Sequence, residues 1–455
     1  MSAIAPAVSG RSIVKVAFAS FVGTTIEWYD FFLYGTAASL VFNRLFFPNL
    51  DPLAGTLAAF STYAVGFVFR PIGGLVFGHY GDRIGRKTML FLTLTIMGVA
   101  TFLIGVLPTY ESIGVWAPIL LVVMRCLQGF GVGGEWGGAV LMAVEHAPPG
   151  RRGFYGSWPQ LGVPAGLVLA NLIYAAFATS RSQEEFLAGA WRIPFLVSFV
   201  LVLIGLFIRL QVAEPPAFAR VKETRSESRM PILDAIRIHP KGVAVAFGAR
   251  IAENGFFYIY TTFVLAYVVQ KLQLPQSVGL NGVLAAGVIE LVAMLAFGAL
   301  SDRVGRRPVY LFGAVFSLLF SFPFFWLVDT RDALLVALAI VLGLNLGHGA
   351  MYATQASFFS ELFGTRVRYS GASLGYQLAS VFAGGLSPII ATALLAQTGS
   401  FVPVALYLVF MAVVTVISVW MAAETRHYDV DAEHPEEARR VALDEQRYAP
   451  APPPA

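Results

Sequence analysis

The chain has 455 residues, of which 57% are hydrophobic and only 13% charged, and its mean hydropathy is +0.70. Soluble proteins carry about 25% charged residues, so a soluble enzyme or binding domain is excluded. The formal charge of +4 comes from cations in short loops beside apolar stretches, which membrane topology explains without a nucleic-acid partner. The one cysteine, Cys126, rules out an internal disulfide and a cysteine-based metal site.

A helical crossing of a bilayer needs about 20 mostly apolar residues. In chain order the apolar stretches predict twelve spans: 15–42, 55–78, 89–107, 117–145, 154–178, 190–212, 242–269, 277–300, 309–328, 333–360, 370–396 and 401–423. The longer ones must tilt or reach beyond the hydrocarbon. The first is too long for a cleaved leader and carries Glu27 and Asp30. Between spans six and seven lies the polar stretch 213–241, whose alternating charges fit either a surface helix or a loose linker. Residues 424–455 are charged and end in a proline-rich run, the composition of a disordered tail. The expected organisation is a six-helix bundle over 1–212, a linker over 213–241, a second bundle over 242–423 and a tail over 424–455.

Two copies of one basic motif stand half a chain apart, Gly78-His-Tyr-Gly-Asp82-Arg83-Ile-Gly85-Arg86-Lys87 and Gly298-Ala-Leu-Ser-Asp302-Arg303-Val-Gly305-Arg306-Arg307. Each joins two spans, and the repetition implies two similar halves, as in transporters. A second repeat follows spans four and ten: Glu145, Arg152 and Gly156, then Glu361, Arg368 and Gly371. The Glu-to-Arg spacing is the same in both, and each pair can link the end of one helix to the start of the next as a hinge or gate. Asp82 and Asp302 can sit at helix amino termini, where a carboxylate complements the dipole. With Arg83, Arg86, Arg303 and Arg306 they are expected to latch one face. Arginine and lysine crowd the even-numbered junctions, which makes that face, and both termini, cytoplasmic.

At these residues the chain resembles the major facilitator superfamily. Arg125-x-x-Gln128-Gly129 matches a second signature of that superfamily, associated with proton coupling. The chain is more closely similar to the metabolite:proton symporter family, which includes the bacterial shikimate, 2-oxoglutarate and proline/betaine carriers. The matching stretches are Glu27-Trp-Tyr-Asp30-Phe-Phe-Leu-Tyr34-Gly, Phe69-Arg70-Pro71-Ile-Gly-Gly74, Gln128-Gly-Phe-Gly-Val-Gly-Gly134-Glu135-Trp136-Gly-Gly and Trp191-Arg192-Ile-Pro194-Phe. The resemblance is strongest to shikimate carrier-like members, and the chain lacks the long coiled-coil tail of the osmosensing type. It implies an all-α fold of twelve membrane helices in two pseudo-symmetric bundles. Spans one, four, seven and ten would line a central cavity that opens alternately to either side. It further implies a monomer in the bacterial inner membrane, with no cofactor and no metal.

Ionisable residues at membrane depth are costly and usually functional. Glu27, Asp30, Glu135, Glu253 and Glu290 outnumber Arg70, Arg125 and Arg250, so some carboxyls must be neutral, hydrated or paired with His348. Asp30 is the first candidate for a proton carrier and Glu27 the next; alternatively one of them pairs with Arg70 or Arg125 to hold helices together. Arg125 and Gln128 share a helical face and suit proton coupling or contact with an organic anion, unless Arg125 is a static ion pair. Glu135, nearer the cytoplasm among glycines, fits packing as well as proton transfer, and Arg70 before Pro71 reads as structural or gating.

Tyr34 follows Glu27 and Asp30 on one face of span one. On span seven Arg250, Glu253, Asn254 and Tyr258 form a polar stripe expected to select substrate, although Arg250 and Glu253 could satisfy each other. His348, Tyr352 and Gln355 on span ten, with Tyr376 and Gln377 on span eleven, form smaller stripes. The resulting expectation is proton symport of a small organic anion: shikimate-like, a dicarboxylate or an aromatic carboxylate. Proton-driven efflux is the alternative within transport. Among membrane proteins a receptor or enzyme is the alternative outside it, and no nucleophile–base pair, phosphate loop or metal cluster supports it.

Overall fold

Lipid offers the backbone no hydrogen-bond partner, so a chain of this composition must satisfy its peptide groups within helices. The computed structural model does so, and no strand occurs among the described residues. These are 10–84, 86–133, 136–145, 147, 148, 150–211, 236, 237, 239–363 and 368–428; at 10–16, 78–84, 86–90, 138, 142, 179, 183, 208–211, 369 and 370 the backbone alone is described. Each expected span meets a helical pass. Among the described residues eight helices are long and apolar enough to cross a membrane, and Phe91–Val106 and Trp116–Val132 are shorter apolar ones. The other two passes, spans one and seven, are those that hold Glu27, Asp30, Arg250 and Glu253. Most of the expected linker lies outside the described residues.

Several passes are interrupted where the sequence suggested a continuous helix. Span one passes from Gly10–Ala37 into a π-turn at Ala38–Phe42. Span seven runs from Pro240 to Tyr258 and then through π-turns at Ile259–Phe263 and Tyr267–Lys271. Spans ten and eleven carry π-turns at Gly343–His348 and Ser380–Gly385. A π-turn releases backbone groups and re-aims side chains, and it often marks a functional position. Here two of them present His348 and Ser380.

Side chains facing outward at mid-helix are apolar: Val292 and Leu319 are both 71% exposed, as expected where lipid is the solvent. Inward, glycines let backbones touch. A Cβ on Gly129 of span four would lie 1.9 Å from the Gly66 carbonyl oxygen of span two, and one on Gly73 would lie 1.9 Å from that of Phe130. Spans two and four are therefore locked in register, which places Arg70 and Arg125 on neighbouring levels. Among the described residues the two halves meet where span five packs on spans eight and ten, span two on span eleven, and Trp136–Glu145 of span four on spans ten and eleven.

Gly129→Ala should lower the apparent melting temperature of the detergent-purified protein by several degrees, since an added methyl at such a contact costs about 1–3 kcal/mol. An unchanged melting temperature would show that spans two and four do not meet there.

Candidate functional site

The face that carries the second basic loop is closed by contacts between the halves. Asp302, at the end of span eight, accepts hydrogen bonds from the backbone N–H groups of Gly153 (2.7 Å) and Phe154 (2.8 Å), at the amino terminus of span five. The expected dipole contact is present, and it crosses from one half to the other. Arg306 donates to Asp302 at 2.7 Å and to both oxygens of Glu361 at 3.2 and 3.1 Å. The turn between spans eight and nine needs its glycine: Gly305 has φ +112°, and a Cβ there would lie 2.6 Å from Glu424 Oε2.

The repeated Glu and Arg exchange partners between halves rather than pairing within each copy. Arg368 meets Glu145 at 3.4 Å. Arg152 donates to the Tyr428 carbonyl at 2.9 Å and lies within electrostatic reach of Glu361. The reason is geometric: each Arg begins the helix that packs against the other half, so its nearest carboxylate lies across the seam. Arg303 contributes its carbonyl, which accepts from Arg426. The side chains of Asp82, Arg83 and Arg86 lie outside the described residues, as does Glu135.

Residues 424–428, expected as the start of a disordered tail, are instead folded into this gate. Glu424 caps span nine, accepting from the N–H groups of Arg306 (2.9 Å) and Arg307 (3.0 Å), and Thr425 donates to Glu361 at 2.7 Å. Nothing in the composition of that segment marked these two residues. Further in, the Trp136 ring stacks on Tyr376 at 3.7 Å, Gln377 donates to the Gly133 carbonyl at 3.2 Å, and Gln160 donates to that of Tyr352 at 3.3 Å. Glu27, Arg70 and Gln160 line a cavity of about 10 Å³ behind this seal, roughly one water's room.

In the second half the charged residues form one connected chain. Arg250 donates to Glu253 at 2.6 Å, to Gln355 at 2.7 Å and to Ser380 at 3.1 Å, with its guanidinium 3.2 Å over the Tyr376 ring. Gln355 donates to Glu253 at 3.1 Å. His348 bridges the two acids, with Nε2 3.1 Å from Glu253 and Nδ1 2.5 Å from Glu290. Tyr352 stacks on His348 and shares a 3.4 Å hydroxyl contact with Tyr376. Arg250 and Glu253 thus take up the self-satisfied arrangement, and Glu290 is one of the carboxyls paired with His348.

In the first half the arginines rest against aromatic rings. Arg125 and Arg70 both stack on Phe31, with guanidinium carbons 4.0 and 4.2 Å from its ring centroid. Tyr34 and Tyr63 also face Arg125, each at 4.5 Å. Arg125 donates to Gln128 at 3.0 Å, and Gln128 donates to Thr101 at 2.7 Å. Asp30 is fully buried near Thr101 and Glu27, and both of its oxygens lack a hydrogen-bond partner. Asn254 and Tyr258 of span seven reach this group across the seam, with Tyr258 5.2 Å from the Phe67 ring. On the opposite face Gln270 donates to Thr56 at 2.7 Å and Ser39 to the Thr262 carbonyl at 3.2 Å.

A chain of helical passes in two packed halves, closed on one face by contacts of the Asp302–Arg306 loop and with charges buried between the helices, has known counterparts. The Major Facilitator Superfamily model matches residues 20–385. The chain belongs to that superfamily. It is 44% identical over 87% of its length to the shikimate transporter of Escherichia coli, covering 91% of that protein. It is 40% identical to the inner membrane metabolite transport protein YhjE of the same organism, covering 91% of this chain and 94% of that one. The proline/betaine transporter of Escherichia coli is 35% identical over 89% of this chain and 82% of the other. Among solved structures, the proton:xylose symporter XylE bound to 6-bromo-6-deoxy-D-glucose superposes with a TM-score of 0.74 at 16% identity, over 95% of this chain and all of that one. The likeness to XylE establishes the shared fold. This major facilitator protein is a membrane transporter and not an enzyme.

Asp302→Asn keeps the shape of the gate residue but weakens its charge-assisted bonds to span five and Arg306. Such bonds are worth about 1.5–3 kcal/mol, so the closed arrangement should lose about 10-fold or more in population. In a background with Cys126 replaced by serine, a cysteine at Gln160 should react with a polar maleimide about 10-fold faster. Equal labelling rates would remove Asp302 from the gate.

Proposed function

We propose that this transporter couples inward movement of a small organic anion to inward movement of a proton. The observation that carries this reading is the buried charge balance. Arg250, Glu253, Glu290 and His348 sum to zero only when the group holds one proton beyond the arginine's own, on the histidine or on an acid. That proton is shared along a chain of short contacts. A buried net charge is disfavoured, so release of the proton has to be matched by another change of charge nearby.

Asp30 supplies the second half of the argument. Thr101 donates its own hydrogen to the Met97 carbonyl at 3.0 Å and accepts from Gln128, leaving it an acceptor for Asp30. A protonated Asp30 has a hydrogen to give it, whereas a carboxylate would have two bare oxygens. Protonation at Asp30 removes one negative charge from the half that buries Arg70 and Arg125, and a substrate anion restores it. Proton and anion then favour each other's binding, the requirement for symport. Asp30, Glu27, Arg125 and Gln128 serve coupling in this reading, and the loop-bearing face is cytoplasmic, as the arginine bias supports. The similarity to carriers of shikimate and other metabolites supports a shikimate-like acid and an inner-membrane location.

In proteoliposomes, shikimate should accumulate under an inward proton gradient, and a protonophore should abolish accumulation while leaving counterflow exchange. Asp30→Asn should retain exchange and lose gradient-driven accumulation by about 10-fold or more, since a fixed neutral side chain cannot release a proton. Sodium-driven uptake, or normal accumulation by Asp30→Asn, would defeat the assignment; gradient-driven efflux would make the protein an antiporter.

A further inference from the structure

Arg70 was expected to do structural or gating work, yet its surroundings are those of a binding group without its ligand. It is 1% exposed, its guanidinium lies 4.2 Å from Phe31, 4.5 Å from Phe67 and 5.2 Å from Trp28, and its Nε and Nη2 are buried with no hydrogen-bond partner. Those two nitrogens share one edge of the guanidinium, and their N–H bonds point the same way. That edge is the fork that meets both oxygens of a carboxylate. A buried, charged donor pair with no acceptor is disfavoured. The aromatic rings offset part of this by stacking but leave the in-plane N–H groups open.

The groups around the fork describe the rest of the ligand. Arg125 has one further open donor, Nη2, its other nitrogens being held by the Tyr63 carbonyl and Gln128. The hydroxyls of Tyr63 and Tyr258, which neighbour each other, and the Oδ1 of Asn254 are also buried with hydrogen-bonding capacity left open. They converge across the seam between the halves: a Cβ on Gly384 would lie 2.2 Å from Asn254 Oδ1, 2.7 Å from the Phe67 ring and 3.0 Å from that of Tyr258. One charged fork, one single donor and three neutral polar atoms over aromatic rings do not match a dicarboxylate, which needs a second fork. Arg250 is already engaged by Glu253, Gln355 and Ser380.

We propose that Arg70, stacked on Phe31, takes the carboxylate of the transported anion. Tyr63, Tyr258 and Asn254 take its hydroxyl groups, so that the substrate class is a hydroxylated cyclic monocarboxylate. This rests on the anion-transport reading and deepens it. The rings of Phe31, Phe67 and Tyr258 fill the seam in the closed state, so the anion enters only when the halves part.

The test measures binding by calorimetry to the purified full chain, using shikimate, its methyl ester, cyclohexanecarboxylate and succinate. The parent should bind shikimate about 10-fold or more tighter than the ester, the scale of a lost charge-assisted contact. Arg70→Gln should bring shikimate down to the ester's affinity while leaving the ester unchanged. Arg70→Lys, which keeps the charge without the fork, should fall between them and guards against misfolding of the first variant. Arg250→Gln should change acid and ester alike. Tyr258→Phe should weaken shikimate several-fold and cyclohexanecarboxylate less than about 2-fold. An acid-to-ester ratio that survives Arg70→Gln, tighter binding of succinate, or no binding of any acid by the parent would overturn the proposal. Its failure leaves protonophore-sensitive uptake untouched, whereas uptake that ignores a protonophore strikes the coupling reading and leaves the Arg70 site standing.

Discussion

A charge inside a helix bundle surrounded by lipid has to be matched locally, because neither water nor salt can do it. The two halves of this transporter meet that constraint differently. The second half closes its charges into a chain from Arg250 through Glu253 and His348 to Glu290. The first half leaves two guanidinium groups against aromatic rings and an aspartate without hydrogen bonds. One half pairs its buried charges with each other and the other sets its arginines on aromatic rings, and that asymmetry underlies both the coupling and the choice of substrate argued above.

The gate obeys the same constraint through exchange. Asp302 of the second half binds the amino terminus of span five in the first, and Arg368 reaches Glu145 across the seam. Because each contact joins groups from different halves, none survives a rocking of one half on the other. Contacts within a half, such as the close approach of Gly129 to Gly66, are unaffected by the same motion. The fold therefore separates what must hold from what must let go.

The spans, their pairing into halves and the dipole contact of Asp302 were legible from apolar runs, repeated loops and helix-terminus electrostatics, all local in sequence. The acids and arginines at membrane depth were legible as a set, because few residues of that kind are tolerated there. Their partners were not. Arg250 lies within one helical turn of Glu253, so that pair could be anticipated, but His348 reaching both Glu253 and Glu290 depends on a π-turn in span ten that no composition rule marks. Arg70 beside a proline looked structural because its open edge is visible only once Phe31, Phe67 and Trp28 are in place.

The short run after the last helix bears on how the protein can be handled by its own cell. Glu424 grips the start of span nine, Thr425 grips Glu361, and the Tyr428 carbonyl is held by Arg152 from the other half. Residues 424–428 are thus a handle fastened to both halves where they meet. Anything that tugs on it, a bound partner or an attached domain, exerts its force where the halves separate, and a tether placed immediately after Trp420 would act as a brake.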